Sequence, residues 1–317
     1  RMILTQGGNH IVQPEPKGDY ILFMGCSFTW GQGLWNYDKS NPSTPTYKEY
    51  IFEEKYPTLE SDKERIKLRF PNLVSTHYGL EHIAKSNNGG SEEESLRCLE
   101  CFLNDGKWHN DNFHYPWPVD KCKLLVFQFS SVVRNYSQFE HKGNVYRIRL
   151  NGHWLPDKED FVTMNYDLWL DGEDWDSEKD EPADINIFYD YLMSNKWDIQ
   201  DFFKQHIMKW LGKVTSVCKK IEDMGIPCVF LHWETEYLEF LYAWDWLKER
   251  TLPILYKGET FGCIEEAYTK YSELTIEGDK ECNTYPNDED THPSKIGHEA
   301  ISESIIKFID DRKEILL

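Results

Sequence analysis

An apolar run, Tyr20-Ile21-Leu22-Phe23-Met24, empties into Gly25-Cys26-Ser27-Phe28-Thr29-Trp30-Gly31. Consecutive apolar residues without alternation suit a strand buried on both faces, the kind found inside a parallel sheet. The small-residue turn that ends it narrows the fold further. Open α/β sheets present functional groups just beyond the carboxyl ends of their strands. Ser27 is therefore expected in the crevice above the sheet, with its hydroxyl and its backbone N–H both facing that crevice. A serine hydroxyl is a weak nucleophile until a base takes its proton. The candidate base lies at the far end of the chain, in Asp288-Glu289-Asp290-Thr291-His292-Pro293, followed by Ser294, Gly297 and His298.

The rest of the chain repeats the strand–helix theme. Residues 81–86 read as a short strand, and Cys122–Phe129 and Ile226–Leu231 as buried ones. Helices are expected at Ser61–Lys67, from Phe70 through Tyr78 with Pro71 in the first turn, over Glu92–Leu103, from 199 to 224 and from 296 to 312. Strands separated by crossovers of this length predict an α/β fold, a parallel sheet with helices on both faces. One domain over 1–317 is the expected organisation. Residues 1–17 read as an irregular lead-in, 35–68 partly as a loop over the site, and 234–249 as a helix or lid. Residues 136–196 break the pattern. Val145–Leu150 alternates, Asn151-Gly152 is a hairpin-type dipeptide, and an inserted β-hairpin/loop region over the carboxyl end of the sheet is expected.

The two ends of the chain together resemble the SGNH/GDSL hydrolases. In that family the first motif reads Gly-Asp-Ser-x-Thr-x-Gly; Gly25, Ser27, Thr29 and Gly31 match it, with Cys26 where Asp is usual. The last motif places an Asp and a His, followed by Pro, just before the final helix, as His292-Pro293-Ser294 with Gly297-His298 does here. The resemblance rests on short motifs and their order, spread over nearly the whole chain. It implies a three-layer α/β/α, flavodoxin-like sheet and a cofactor-free serine esterase. Ser27 would then be the nucleophile and His292 the base, oriented by an acid. The family's acid falls three residues before the histidine, at Glu289; Asp290, two before, is preferred because a shorter side chain reaches back with less entropy lost. The oxyanion donors implied are the Ser27 N–H and the second-motif glycine, Gly89 or Gly90 in Asn88-Gly89-Gly90-Ser91, of which Gly89 fits the motif better.

The third motif departs from the family. Gly-x-Asn-Asp is expected after the third strand, but Gln128-Phe129-Ser130-Ser131-Val132-Val133-Arg134-Asn135 stands there. Ser130 is the substitute oxyanion donor, and Arg134 resembles a variant of this motif in SGNH-like proteins of viral and bacterial origin. Two functions follow as expectations. One is hydrolysis of an ester, an O-acyl group on a carbohydrate. The other is a non-catalytic glycan-binding or structural protein, virion-associated, built on the same scaffold.

Charge decides what the partner is not. With 35 basic against 55 acidic residues the net charge is −20, which repels phosphate backbones and anionic membranes. No nucleic-acid or membrane partner is expected, and a glycan ester or other small-molecule ester is. The 12 Trp and 18 Tyr are numerous enough to pack the insertion and to line a cleft that stacks on sugar rings. No secretory leader or membrane-spanning apolar run is evident, which leads us to expect a cytoplasmic or virion-associated protein. The 8 cysteines read as buried thiols, and the Cys98/Cys101 pair lacks a second pair for zinc. Asp174, Asp176, Glu178 and Asp180 alternate like calcium ligands but lack that loop's glycine and final Glu, so no metal is expected. Glu234 and Glu236 are two carboxylates among 55 acidic residues and do not by themselves point to a glycosidase pair; His298 is expected to be structural, capping the last helix or bonding the His292 loop.

Overall fold

The computed structural model describes residues 3–5, 8–10, 16–37, 59–86, 92–104, 117–130, 135–150, 166–172, 182–235, 238–282 and 291–312. The lead-in read as irregular contains an antiparallel pair, β1 (Ile3–Thr5) and β2 (Gly8–His10). After it comes the sheet that organises the molecule. Its strands are β3 (Tyr20–Gly25), β4 (Glu81–Ser86), β5 (Cys122–Phe129) and β9 (Cys228–His232), in the spatial order β4-β3-β5-β9. All three pairings are parallel. The chain therefore steps outward from β3 to β4, then returns past β3 to β5. The gap between β3 and β5 is the switch point, where α/β sheets of this order open a crevice at their carboxyl edge.

Burial explains why these segments are strands. Tyr20 through Met24 are at most 1 % exposed, and each such side chain contributes about 1.5–3 kcal/mol by leaving water. Alternate residues face opposite layers, as the period of two requires. Leu22, Met24, Leu125 and Phe127 pack with α4 (Glu92–Leu103) and α6 (Ile199–Asp223). Ile21, Phe23, Leu124 and Val126 pack with α3 (Phe70–Tyr78) and α10 (Lys295–Asp310). The result is a mixed α/β fold with a parallel four-stranded sheet between helices.

Between β5 and α6 lies a three-stranded antiparallel sheet, β6 (Ser137–His141), β7 (Asn144–Leu150) and β8 (Tyr166–Leu170). Lys142-Gly143, both with positive φ, form the tight turn between β6 and β7. A two-residue turn of that hand matches the twist of the strands it joins. The Asn151-Gly152 dipeptide lies outside the described residues. Phe139 of β6 meets Phe188 of α5 (Asn186–Asn195) at 5.1 Å and Phe202 of α6 at 6.3 Å, which anchors the unit on α6. The stretch read as a helix or lid holds α7 (Leu238–Tyr242) and α8 (Asp245–Arg250), and the mixed stretch after it holds a hairpin, β10 (Ile254–Tyr256) and β11 (Glu259–Phe261), and α9 (Ile264–Lys270).

Candidate active site

Ser27 opens α1 (Ser27–Trp30), a single turn that leaves the carboxyl end of β3. Gly25 makes that turn possible by its size. A Cβ there would lie 2.2 Å from Thr29 Oγ1 and 2.7 Å from Gln128 Oε1, closer than atoms can approach. His292 arrives from the other end of the chain, on the loop before α10. Its carbonyl accepts the Ile276 N–H at 2.8 Å, and the Ser294 N–H donates to the Leu274 carbonyl at 2.9 Å. The loop is thus held as a short antiparallel partner to residues 274–276. The Phe28 ring meets the imidazole edge-on at 69°, centroids 5.1 Å apart. These constraints bring His292 Nε2 to 2.8 Å from Ser27 Oγ, across 265 residues of sequence. Ser27 is 1 % exposed and His292 is half-buried, so the histidine side is the open one.

The other expected site residues divide in two. Ser130 is buried, one residue past β5. Met24 lies opposite Phe127 in the sheet register, so Ser27 and Ser130 leave adjacent strands at the same height. Gly89, Glu289 and Asp290 lie outside the described residues, as do Arg134, Glu236 and Asp174 to Asp180. Cys98 and Cys101 are both buried in α4, and no group of three metal-ligating side chains occurs among the described residues. His298 corrects an expectation. Its Nδ1 accepts the Phe70 N–H at 3.1 Å, so it caps the start of α3 and neither its own helix nor the His292 loop. It has no accessible surface, and burial first, then the Arg69 guanidinium, lowers its pKa to about 3.

Beside the Ser27–His292 pair opens a cleft of about 640 Å³ lined by Trp233, Glu234, Glu265, Tyr268, Glu277 and Thr291, among others. Thr291 adjoins His292. Phe28 joins the cleft to the nucleophile turn from the other side, its ring 4.7 Å from Trp233 and 6.5 Å from Tyr268. The cleft therefore shares a wall with the pair. Glu265 accepts from the Thr235 N–H at 2.9 Å and hydroxyl at 2.8 Å, which fixes one carboxylate of its rim. At the end of β9, burial pushes His232 down to about 4, against the opposing effect of its contact with the Glu234 carbonyl, and the ring stays neutral. A larger cavity, about 950 Å³, lies at the amino edge of the sheet around Ile21, Leu124 and Pro227, away from the pair.

Sequence reasoning missed three participants. Gln128 reaches into the nucleophile turn, and its signal was a polar residue inside the apolar run Leu124–Phe129. Trp233 and Tyr268 line the cleft; only their abundance class, not their position, was readable.

No family model matches the chain, and no curated protein does. Among solved structures it is similar to an acetyl xylan esterase (Est2A) from the rumen bacterium Butyrivibrio proteoclasticus: 8 % identity, 98 % of this chain and 67 % of that one, TM-score 0.41. A carbohydrate esterase whose active site is described as having divergent catalytic and non-catalytic binding functions aligns at 14 % identity, 96 % and 72 % coverage, TM-score 0.38. A carbohydrate esterase family 2 enzyme with a carbohydrate-binding domain, from Corynascus thermopiles (Myceliophthora fergusii), aligns at 15 % identity, 97 % and 70 % coverage, TM-score 0.36. Likeness at this level carries no argument about chemistry. Among the described residues no helix is long and apolar enough to cross a membrane.

Proposed function

We propose that the protein is a serine hydrolase of the SGNH type that cleaves an ester, an O-acyl group on a carbohydrate. The observation that carries this reading is the 2.8 Å contact between Ser27 Oγ and His292 Nε2 at the carboxyl edge of a parallel sheet. With the proton on Nδ1, Nε2 accepts the hydroxyl hydrogen. As Oγ attacks the acyl carbon, that proton passes to Nε2 and the carbonyl becomes an oxyanion. Collapse of the tetrahedral intermediate returns the proton to the departing sugar oxygen and leaves an acyl-serine. Water, deprotonated by the same nitrogen, then releases the acid and restores Ser27.

The remaining roles extend the same proposal. Asp290 or Glu289 orients the imidazole, and the N–H groups of Ser27 and Gly89, with Ser130, receive the oxyanion. Losing one such donor costs about 10²–10³ in rate. The carbohydrate part is supported by the adjoining cleft, where Trp233 and Tyr268 offer ring faces and Glu234, Glu265 and Glu277 offer acceptors for hydroxyls. A net charge of −20 suits an uncharged glycan better than an anionic one.

A fluorophosphonate probe tests the reading. Wild type is labelled on Ser27, and Ser27→Ala is not; hydrolysis of an acetylated xylooligosaccharide falls more than about 10³-fold in Ser27→Ala and His292→Ala. An unlabelled wild type that still binds the deacetylated glycan would replace the enzyme with a non-catalytic glycan binder.

A further inference from the structure

We infer that the side-chain amide of Gln128 is a positioning residue that clamps the Ser27 turn to the neighbouring strand across the switch point of the sheet. The kinetic part of this inference rests on the hydrolase reading above; the geometric part does not. Gln128 is the penultimate residue of β5, 1 % exposed, on the face of the strand that Leu124 and Val126 fill. An amide in such a place is unfavourable unless its polar atoms are matched. Here the oxygen is matched by the nucleophile turn, and the nitrogen by that turn and the next carbonyl of its own strand. Oε1 accepts from the Thr29 hydroxyl at 2.8 Å and from the Cys26 N–H at 3.4 Å. Nε2 donates to the Phe129 carbonyl at 3.0 Å and to Cys26 Sγ at 3.3 Å. Donors on one side and a carbonyl on the other fix which end of the amide is oxygen.

Each contact falls on a residue beside the chemistry. Cys26 immediately precedes Ser27, and its sulfur lies 4.0 Å from Ser27 Oγ. Thr29 anchors the far end of the same single-turn helix. On its own strand, Gln128 holds the carbonyl of the peptide that joins Phe129 to Ser130. A trans peptide is planar with its C=O and N–H opposed, so fixing that oxygen also fixes the direction of the Ser130 N–H. One side chain thus sets two peptide planes, one on each side of the crevice. The bare Cα of Gly25 belongs to the same arrangement, since a Cβ there would collide with both Thr29 Oγ1 and Gln128 Oε1. A four-residue helix closes too few internal hydrogen bonds to be held in place by them alone. The clamp supplies what the helix lacks.

The experiment compares wild type with Gln128→Ala, Gln128→Glu and Thr29→Val by crystallography and steady-state kinetics. In Gln128→Ala the Ser27 Oγ to His292 Nε2 separation is expected to open beyond hydrogen-bond reach, about 3.5 Å. The kcat is expected to fall roughly 10²-fold with KM changed much less, the signature of misplaced reacting atoms. Gln128→Glu keeps an oxygen for Cys26 and Thr29 and restores part of the rate; Thr29→Val removes one contact and loses less. If Gln128→Ala does not fold, the same two quantities are read in the other two variants. A separation held near 2.8 Å with kcat unchanged per labelled site, whatever the melting temperature does, overturns the clamp. If wild type itself neither hydrolyses nor labels, the hydrolase reading falls, and the crystallographic separation alone decides the clamp.

Discussion

His292 and His298 stand six residues apart and are put to opposite uses. His292, before α10, is half-buried with Nε2 facing the Ser27 hydroxyl at 2.8 Å. His298, inside α10, is sealed. Its Nδ1 takes the Phe70 N–H, its ring stacks on Phe70 at 5.6 Å, and guanidinium groups lie behind it. Arg65, on α2 (Leu59–Leu68), and Arg69 are each 2 % exposed; Arg65 Nε meets Asp62 at 2.6 Å, and Arg69 Nη2 lies 3.2 Å from His82 Nε2. Burial, then Arg69, also lowers His82 to about 3. A ring enclosed this way is held neutral by its burial and cannot serve as a base. Access and partner, not residue type, separate the reactive histidine from the architectural one.

The largest way to break that contrast is to unbalance the sealed cluster. Asp62→Ala leaves the Arg65 guanidinium buried without the carboxylate at its Nε. Breaking a buried pair on one side costs about 3–5 kcal/mol. Urea unfolding of Asp62→Ala is expected to show a loss of that order. The rate per probe-titrated site in the folded fraction is expected to stay at the wild-type value, because the sealed cluster supports α3 and α10 rather than the reacting atoms. A loss under about 1 kcal/mol would mean the cluster is solvated after all.

A second test uses pH. An unfolded histidine titrates near 6.5, whereas folded His298 titrates at about 3. The unfolded chain therefore binds the extra proton first. The stability this neutral, buried ring contributes is fully present above pH 6.5 and is lost progressively as pH falls toward 3, at about 1.4 kcal/mol per pH unit. At pH 5 that amounts to about 2 kcal/mol for His298 alone. His82 and His232 add losses of the same sign over overlapping ranges. His298→Gln keeps an acceptor for the Phe70 N–H and removes the titration. Its unfolding free energy between pH 7 and 5 is expected to fall less steeply than that of wild type by one proton's slope. Parallel slopes would place the acid sensitivity on other groups.

What was legible in the sequence follows the same division. The buried strands at Tyr20 and Cys122 announced themselves because continuous apolar runs have few other uses, and the helix at Phe70 did so through Pro71 in its first turn. The Ser27–His292 pairing could be expected only through motif resemblance, since nothing local links residues 265 apart. Gln128 was opaque. Its meaning lies in contacts 99 and 102 residues away in sequence, and a lone polar residue in a strand carries no record of its partner. The role of His298 was misassigned for a related reason. Its partner is not in its own helix but at Phe70, 228 residues earlier.

The finest test lies at the joint between the two histidines. Ser294 caps α10 by accepting the Gly297 N–H at 3.0 Å, and its hydroxyl also donates to the Glu273 carbonyl at 2.7 Å. The first bond belongs to the helix that carries His298; the second belongs to the strand-like pairing that holds His292. Ser294→Ala removes both and is expected to cost about 1 kcal/mol, the usual worth of a cap. Ser294→Asp keeps an oxygen for Gly297 but has no proton for Glu273. If capping alone matters, Asp restores stability and probe labelling together. The shared hydroxyl predicts otherwise: Asp restores the thermal midpoint while labelling of Ser27 stays slower than in wild type, because the His292 loop has lost its tie to residue 273.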